Sequence, residues 1–522
     1  TPKPSSAASD VYKRQAYGIY EVTQLPIDAV PDITNNQVQV ITVAPALGAT
    51  DIERLITVPI EQALANIPEV IEQRSFSRFG LSIVTLVFND KTDIYWVRQQ
   101  STERLQGIMQ TLPIQYGIPF IAPLTTGLGE IFQYTVRAQN GYESRYSPMD
   151  LRTIQDWTIR KQLLQTPGIA DVSSFGGHIK QFEIAIDPNK LFANRLTLED
   201  VYDAVVRNNE NTGGAYIEKG PNVLFIRTEG LISDSMDAGW IVIKHMQNGT
   251  PVLLKDIAKI QSGHATRYGA LTLNGTTEVS GAVVMMLKGE NSNQVIKNVK
   301  LKIAEIQQQL PEGILIEPFL DRTKMVNRAI TTVSINLVEG ALIVVFVLVL
   351  FLGSLRAGLV VAFVIPLSML FAVICMNRFG VSGNLMSLGA LDFGLIIDGA
   401  VIIVEAWLHY MYSQKQKAVS QTFIDTEVGT ITTRMMKSAL FGQLIILMVY
   451  LPIFTLQGIE GKMFIPMAQT VAFALTGAFI CSITFVPWAS SILLKPSVLF
   501  QNTFSLAIFN RATLIYRRAL RY

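Results

Sequence analysis

The chain has 522 residues, of which 49% are hydrophobic and 16% are charged, and its mean hydropathy is positive. This balance is too apolar for an ordinary soluble protein and too charged for one that lies wholly in a membrane, so it predicts a mixture of both. A formal net charge of +2 gives no sign of a nucleic-acid partner. The two cysteines, Cys375 and Cys481, both lie in apolar runs and offer neither a disulfide framework nor a cysteine-rich metal site.

Up to about residue 330 the pattern is that of a soluble, mixed α/β protein. Alternating apolar and polar residues predict strands, whereas apolar residues three and four apart predict helices. The first predicted elements are a strand (36–44), a helix (48–67), two strands joined at Phe79-Gly80 (70–88) and a second helix (91–112). This order predicts the split βαβ arrangement of a ferredoxin-like unit.

A second unit of the same kind begins further along the chain. It comprises a strand (130–139), a helix (149–165), a later strand (279–289) and a later helix (291–310). Residues of roughly 182–272 interrupt it as a long insertion. Within the insertion, residues 208–220 are rich in Asn and Gly, which favours either a loop that reaches out from its domain or a solvated hairpin.

Beyond residue 330 the chain contains five long apolar runs. Each has about 20 residues or more, the length that crosses a hydrocarbon core of about 30 Å. They are residues 331–353, 357–376, 384–407, 438–458 and 464–494. The sequence therefore predicts five transmembrane helices.

Basic residues in the short connections predict the orientation of these helices. Lys415, Lys417, Arg434 and Lys437 separate the third and fourth runs and Arg356 the first and second, whereas the other two connections have only Arg378 and Lys462. The positive-inside rule puts the first group in the cytoplasm. The soluble region then lies on the opposite side of the membrane, which is the periplasm in a bacterium.

The N-terminus raises a separate point about export. Residues 1–15 are polar and contain no apolar run, so they are not a signal peptide. A large soluble region reaches the far side of a membrane only with an export signal or a preceding membrane helix. We therefore expect an incomplete N-terminus, with residues 1–15 as a foreign leader.

Three carboxylates, Asp392, Asp398 and Glu405, lie in the third apolar run. On a helix, Asp398 and Glu405 lie within about 20° of one face, while Asp392 is about 120° away. A charge at mid-membrane costs at least ~2.5 to 3.5 kcal/mol on insertion scales, so such residues usually face a bundle interior or a watery cavity and serve a function. The pattern favours a proton relay over the alternative of static ion pairs with another helix.

The surroundings of these acids give two further expectations. The other four runs contain no Lys or Arg, so a cationic partner for the acids must come from elsewhere. Gly389, Gly394 and Gly399 would let a neighbouring helix approach the acidic helix closely. Glu339, near the start of the first run, fits a position at the membrane interface better than a part in the relay.

The histidines are weaker candidates for a site. His178, His245, His264 and His409 show no ligand spacing to one another. Each is therefore expected at the surface or in a loop rather than on a metal ion.

Residues 390–405, ALDFGLIIDGAVIIVE, resemble the fourth transmembrane helix of heavy-metal efflux pumps of the resistance-nodulation-division superfamily, cobalt-zinc-cadmium type. The resemblance covers essentially everything after residue 15, with the closest stretches at 26–40, 351–370, 384–394 and 449–475. It implies an α+β membrane protein with ferredoxin-like periplasmic porter subdomains and an inserted docking subdomain. A transmembrane helix bundle follows, with five full helices in this chain.

The resemblance also implies a division of the chain into segments. These are a non-family leader (1–15), a remnant of the first transmembrane helix (16–25), the first porter subdomain (26–129), the first part of the second porter subdomain (130–181), the docking subdomain (182–272), the return of the second porter subdomain (273–330), transmembrane helices two to six (331–494) and a cytoplasmic amphipathic segment (495–522). The loop within 208–220 would reach into a neighbouring subunit.

The function that the resemblance implies is secondary active transport, not enzyme catalysis. The pump would be a proton-driven antiporter that exports divalent heavy-metal cations across the bacterial cell envelope and uses the proton-motive force without a cofactor. Asp392, Asp398 and Glu405 correspond to the family's proton-translocating acids. The implied assembly is a homotrimer in the inner membrane, with a periplasmic adaptor (a membrane fusion protein), an outer-membrane channel and lipid as partners.

The family is built from two similar halves, and this chain resembles the N-terminal half. The lysine partner of the acids and much of the substrate cleft would lie in the other half, so we expect no pumping by this chain alone. The metal ligands are unknown at this stage. Two alternatives are export of organic compounds by the multidrug branch, whose acids are typically adjacent rather than six and seven apart, and a non-transporting receptor or scaffold of the same architecture.

Overall fold

The computed structural model describes residues 17–494, with gaps at 19, 23–24, 29, 113–116, 212, 228–229, 247–248, 268, 353, 390, 392 and 415–419, and part of 511–520. The chain forms two compact units, one within residues 1–131, 285–297 and 321–522 and the other within 132–284 and 298–320. The predicted leader, much of the predicted first-helix remnant and most of the predicted cytoplasmic segment lie outside the described residues.

The first unit begins with a four-stranded sheet and its helices. In chain order the elements are β1 (Ile27–Asp28), β2 (Asn36–Val43), α1 (Ala49–Ile52), a π-helical segment (Glu53–Thr57), α2 (Val58–Leu64), β3 (Val70–Arg78), β4 (Leu81–Phe88), α3 (Ile94–Ile108) and β5 (Phe120–Ile121). The sheet order is β3-β4-β2-β5, and β2 runs antiparallel to both β4 and β5. This is the ferredoxin-like order, so that prediction is confirmed.

Periodicity explains why these residues form a sheet covered by helices. Along β2 every second side chain is buried, including Val38 and Val40. These valines pack in one apolar core with Ile52 and Ile60 from the helices. The turn between β3 and β4 requires a left-handed backbone, which Gly80 supplies with φ of +77°.

The second unit contains a long insertion and most of another four-stranded sheet, some of whose elements extend by a few residues into the first unit. Its elements are β6 (Glu130–Ala138), α4 (Pro148–Ile154), a π-helical segment (Gln155–Ile159), α5 (Arg160–Leu163), β7 (Ile169–Gly176), β8 (Lys180–Ile186), α6 (Pro188–Ala193), α7 (Leu198–Arg207), β9 (Gly213–Lys219), β10 (Asn222–Arg227), α8 (Ser235–Gly239), β11 (Val242–His245), β12 (Pro251–Leu253), α9 (Leu254–Ile257), β13 (Ala258–His264), β14 (Thr272–Leu273), β15 (Thr277–Glu278), β16 (Ser280–Met286), α10 (Ser292–Gln309) and β17 (Ile314–Asp321). The sheet order β17-β6-β16-β7 repeats that of the first sheet.

The insertion is closed at its base by an antiparallel ladder of β8 and β13, whose register runs from Ile186 opposite Ala258 to Lys180 opposite His264. Its own small core includes Leu196, Val201 and Leu254. The segment 208–220, predicted as a loop or a solvated hairpin, contributes strand β9 to the β9–β10 hairpin, which continues to Arg227. Apolar side chains of this hairpin are exposed, among them Phe225 at 83%.

A buried hydrogen-bond chain in the second unit provides a test of its packing. Tyr134 Oη donates to Gln155 Oε1 at 3.0 Å, and Gln155 Nε2 donates to Ser174 Oγ at 3.2 Å. Gln155 is fully buried, so Tyr134→Phe would leave its carbonyl oxygen unsatisfied.

We expect Tyr134→Phe to cost about 1–3 kcal/mol of local stability, measured as faster amide hydrogen exchange in β6 and β7. The control is Tyr142→Phe, because the Tyr142 hydroxyl donates to Glu312 at an exposed site. Equal exchange rates in the two variants would contradict this prediction.

The rest of the first unit consists mainly of long apolar helices. Its elements are α11 (Arg322–Leu352), α12 (Leu355–Ala362), α13 (Val364–Phe379), β18 (Gly383–Asn384), α14 (Leu385–Gly389), α15 (Phe393–Gln414), α16 (Gln421–Tyr450), a 3-10 segment (Leu451–Thr455) and α17 (Gly458–Leu493). Among the described residues, five helical stretches are long and apolar enough to cross a membrane. Each predicted apolar run lies largely within one of them.

Helix α17 is the central packing element of this group, since it contacts α13, α15 and α16. The shared core includes fully buried Trp407 of α15 and Ala474 and Ala478 of α17. The indole Nε1 of Trp407 donates to the carbonyl oxygen of Leu494 at 3.4 Å.

Candidate functional site

Helix α15 carries the acidic stripe that the sequence predicts. Asp398 and Glu405 both have exposed side chains, and Ile402 between them is 37% exposed. The other side of α15 is buried in the helix core through Ala400, Val404 and similar residues. The two acids therefore share the outer face of this group of helices. The third predicted acid, Asp392, lies outside the described residues.

The structure shows the direction in which the acidic stripe faces. The acids do not face the interior of the five helices. A charged or polar group that pairs with both acids in the membrane would have to approach this outer face.

Close packing behind the acids is concentrated at Gly399. A Cβ atom at this position would lie 3.1 Å from Ser482 Oγ and 3.6 Å from Gln443 Nε2. Glycine thus lets α15 approach both α17 and α16 immediately beside Asp398. The expectation of close approach is confirmed for Gly399. For Gly389, whose Cβ position has no described atom within 4 Å, and for Gly394 it stays a prediction.

A lysine near the N-terminus of α17 connects the membrane-length helices to the first sheet. Lys462 Nζ lies 2.7 Å from a carboxylate oxygen of Asp90 and donates to the carbonyl oxygen of Thr34 at 3.0 Å. The Asn35 side-chain oxygen is 3.5 Å away. The Lys462 side chain is only 18% exposed, so this contact is better shielded than an ordinary surface ion pair.

The two loops that Lys462 contacts are themselves held together. Buried Asn36, at the start of β2, donates its amide to the carbonyl oxygens of Asn89 at 3.1 Å and Thr92 at 2.8 Å. A displacement of the first turn of α17 would therefore act on both loops together. Packing of α17 against α15 connects the same helix to the acidic stripe.

Sequence reasoning did not identify Lys462 as a functional residue. It appeared only as a basic residue in a short connection between two apolar runs. The only signal was that Lys462 is the single basic residue between the fourth and fifth apolar runs, in a connection that also contains Glu460. The partner residues are more than 370 positions away in the sequence, so the pairing itself was not readable.

A resident metal centre is not apparent at this site. Within the described part of the chain, no group of three or more His, Cys, Asp or Glu side chains is arranged to hold a metal ion.

Comparisons with known proteins agree with this architecture. A model of the AcrB/AcrD/AcrF family matches residues 15–522. The cation efflux system protein CzcA of Alcaligenes sp. strain CT14 is 44% identical over 94% of this chain and 46% of its own length. Protein HelA of Legionella pneumophila is 46% identical over 92% of this chain and 46% of its own length.

A crystal structure of a heavy metal efflux pump is also similar. It superposes with a TM-score of 0.81 at 34% identity, over 99% of this chain and 51% of the pump. The chain thus spans about half the length of the relatives that it matches.

Proposed function

Because the chain belongs to the AcrB/AcrD/AcrF family, we propose that it is part of a proton-driven antiporter that exports divalent heavy-metal cations. The observation that carries this proposal is the stripe of Asp398 and Glu405 on one face of a membrane-length helix. Carboxyl groups held in that setting are suited to take up and release protons. The similarity to a cation efflux protein supports a metal ion as the cargo.

The proposed mechanism starts with protonation of the acids on α15. Protonation of Asp398 or Glu405 removes a charge that a cationic group at the outer face would attract, so α15 changes its position relative to that group. Asp392 is proposed as the third member of the relay. One charge that crosses a potential of 100 mV provides ~2.3 kcal/mol, enough to bias a two-state helix arrangement.

A change in the position of α15 must then be transmitted to the sheet outside the membrane. Helix α17 packs against α15 and holds the loops at Thr34 and Asp90 through Lys462. We propose that this helix transmits the change to the first sheet, which then alternates between conformations that accept and release the metal cation.

The proposed setting is the inner membrane of a bacterium, with the soluble residues in the periplasm. Pumps of this type typically work in tripartite complexes, which supports a homotrimer with a periplasmic adaptor and an outer-membrane channel as partners. The exposed apolar β9–β10 hairpin is suited to contact a neighbouring subunit. The segment boundaries given above are proposed on the same basis.

Substrate range tests the proposal. The full-length gene product that includes these residues should restore growth on zinc, cobalt or cadmium to a bacterium that lacks its own metal efflux pumps. It should leave sensitivity to organic dyes and antibiotics unchanged. Resistance to organic compounds without resistance to metals would favour the multidrug alternative, and resistance to neither, with the protein intact in the membrane, would favour a receptor or scaffold.

A further inference from the structure

Two histidines of the second unit lie side by side although they are far apart in the sequence. The ring centroids of His178 and His264 are 4.5 Å apart, with an angle of 42° between the ring planes. The β8–β13 ladder explains this, because it ends with Lys180 opposite His264 and His178 precedes β8 by two residues. Sequence spacing could not reveal a pair formed by the two ends of an insertion.

Each ring of this pair has a nitrogen that makes no hydrogen bond among the described residues. His264 is exposed, and its Nδ1 is 3.2 Å from the carbonyl oxygen of Ala265. In the tautomer that donates this hydrogen bond, the lone pair of Nε2 points away from the backbone, the arrangement found in metal-binding histidines. His178 Nδ1 is buried and has no hydrogen-bond partner among the described residues, and a buried polar atom of this kind requires one.

We propose that His178 and His264 form a binding site for one divalent transition-metal ion of the Zn²⁺, Co²⁺ or Ni²⁺ type. Imidazole nitrogen is a preferred ligand of these ions. Metal-to-nitrogen distances of about 2.0–2.1 Å would place the centroids of two rings that share an ion about 5 Å apart. The observed separation of 4.5 Å is close to that value.

The proposed site is suited to transient binding of a metal ion rather than to permanent binding. In the described part of the chain no third His, Cys, Asp or Glu completes a ligand set, so water would fill the remaining positions. Sites with open positions exchange ligands, whereas structural sites are closed by four protein ligands. The interpretation of this site as one that captures metal ions for export rests on the proposed function. The binding of a metal ion by the two histidines does not depend on that function.

The charge of Lys180, next to the histidine pair, allows a variant that distinguishes metal binding from simple stacking of the two rings. Lys180 is exposed and lies directly opposite His264 in the ladder, so its ammonium group repels a bound cation. Gln181, the next residue, donates its side-chain amide to the His264 carbonyl oxygen at 3.0 Å and leaves the ring free. Lys180→Ser should therefore strengthen metal binding about twofold to fivefold at low salt, whereas it should not affect two rings that merely stack.

The experiment uses the whole chain in detergent micelles, without any ion gradient. Modification of each histidine by diethyl pyrocarbonate is followed by mass spectrometry as zinc chloride is added. We expect zinc to protect His264, and His178→Ala to raise the zinc concentration needed for that protection about tenfold or more. His245, an exposed histidine at the end of β11, reports nonspecific protection, and His245→Ala should leave the protection of His264 unchanged.

Calorimetry with zinc chloride provides a second measurement that does not depend on histidine modification. Loss of one binding event in both His178→Ala and His264→Ala, with retention in His245→Ala, would support the site. Equal zinc protection of His264 in the wild type and in His178→Ala, or unchanged heats in both variants, would overturn it. Neither result depends on transport, so failure of this inference and failure of the proposed function are distinguishable.

Discussion

Asp398→Asn in the full-length gene product is expected to lower zinc, cobalt or cadmium export by about 100-fold or more, the scale of losing a positioned proton-transfer group. Asparagine keeps the size and polarity of the side chain but cannot take up and release a proton. Asp398 lies on the exposed face of α15, so the substitution should not disturb the helix core. Growth of a pump-deleted bacterium on graded metal concentrations measures the effect.

A matched control distinguishes loss of the relay from loss of any membrane carboxylate. Glu339 is also exposed on a long apolar helix, α11, but it is not part of the stripe. Glu339→Gln should retain nearly full metal resistance, while Glu405→Gln should resemble Asp398→Asn. Full resistance in Asp398→Asn, with the protein present at wild-type abundance, would refute the assignment of this residue to the relay.

Lys462→Met is expected to reduce metal export about tenfold while the protein remains folded in the membrane. Methionine preserves most of the side-chain volume but removes the ammonium group from the Asp90 carboxylate and the Thr34 carbonyl. Coupling between two parts of a protein commonly amounts to about 1–3 kcal/mol, which corresponds to this size of effect. Lys462→Arg should preserve part of the activity, because it retains a cation at the same position.

A double-mutant cycle tests whether Lys462 acts through Asp90. Asp90→Asn alone should weaken export, and adding it to Lys462→Met should cause little further loss, because both changes break one contact. Lys437→Met is the control, since Lys437 is exposed on the membrane helix α16. Full additivity of the two losses, or an equal loss in Lys437→Met, would contradict a coupling role for this contact.

Local periodicity made the first sheet predictable. The alternation of apolar and polar residues along β2, which matches its alternating burial, and the glycine at the β3–β4 turn are short-range features that a sequence displays directly. Strand β5 has only two residues, Phe120–Ile121, and is held by its pairing with β2. A strand that depends on such a partner leaves little pattern of its own, so it was not predicted.

The acidic stripe was predictable because seven residues is a helical spacing. The direction in which the stripe faces was not predictable. In a membrane, acids mark a side of a helix without showing whether that side is packed, and α15 is otherwise apolar. The sequence therefore does not distinguish its buried side at Val404 from its exposed side at Ile402.

Contacts between distant parts of the chain account for what sequence reasoning missed. Lys462 meets Thr34 and Asp90, and His178 meets His264, only because the chain folds back on itself. Neither pair has a spacing or motif that marks it. Such pairs follow from strand register and helix packing, which a single sequence does not specify at this range.

Proton flux coupled to metal transport is the defining property of the proposed antiporter, and it can be measured directly. The full-length gene product is placed in proteoliposomes that contain a pH-sensitive dye, and a zinc gradient is imposed. We expect a zinc-dependent change of internal pH in the wild type that is absent in Asp398→Asn. Zinc movement without any proton flux, or identical proton flux in the two proteins, would contradict it.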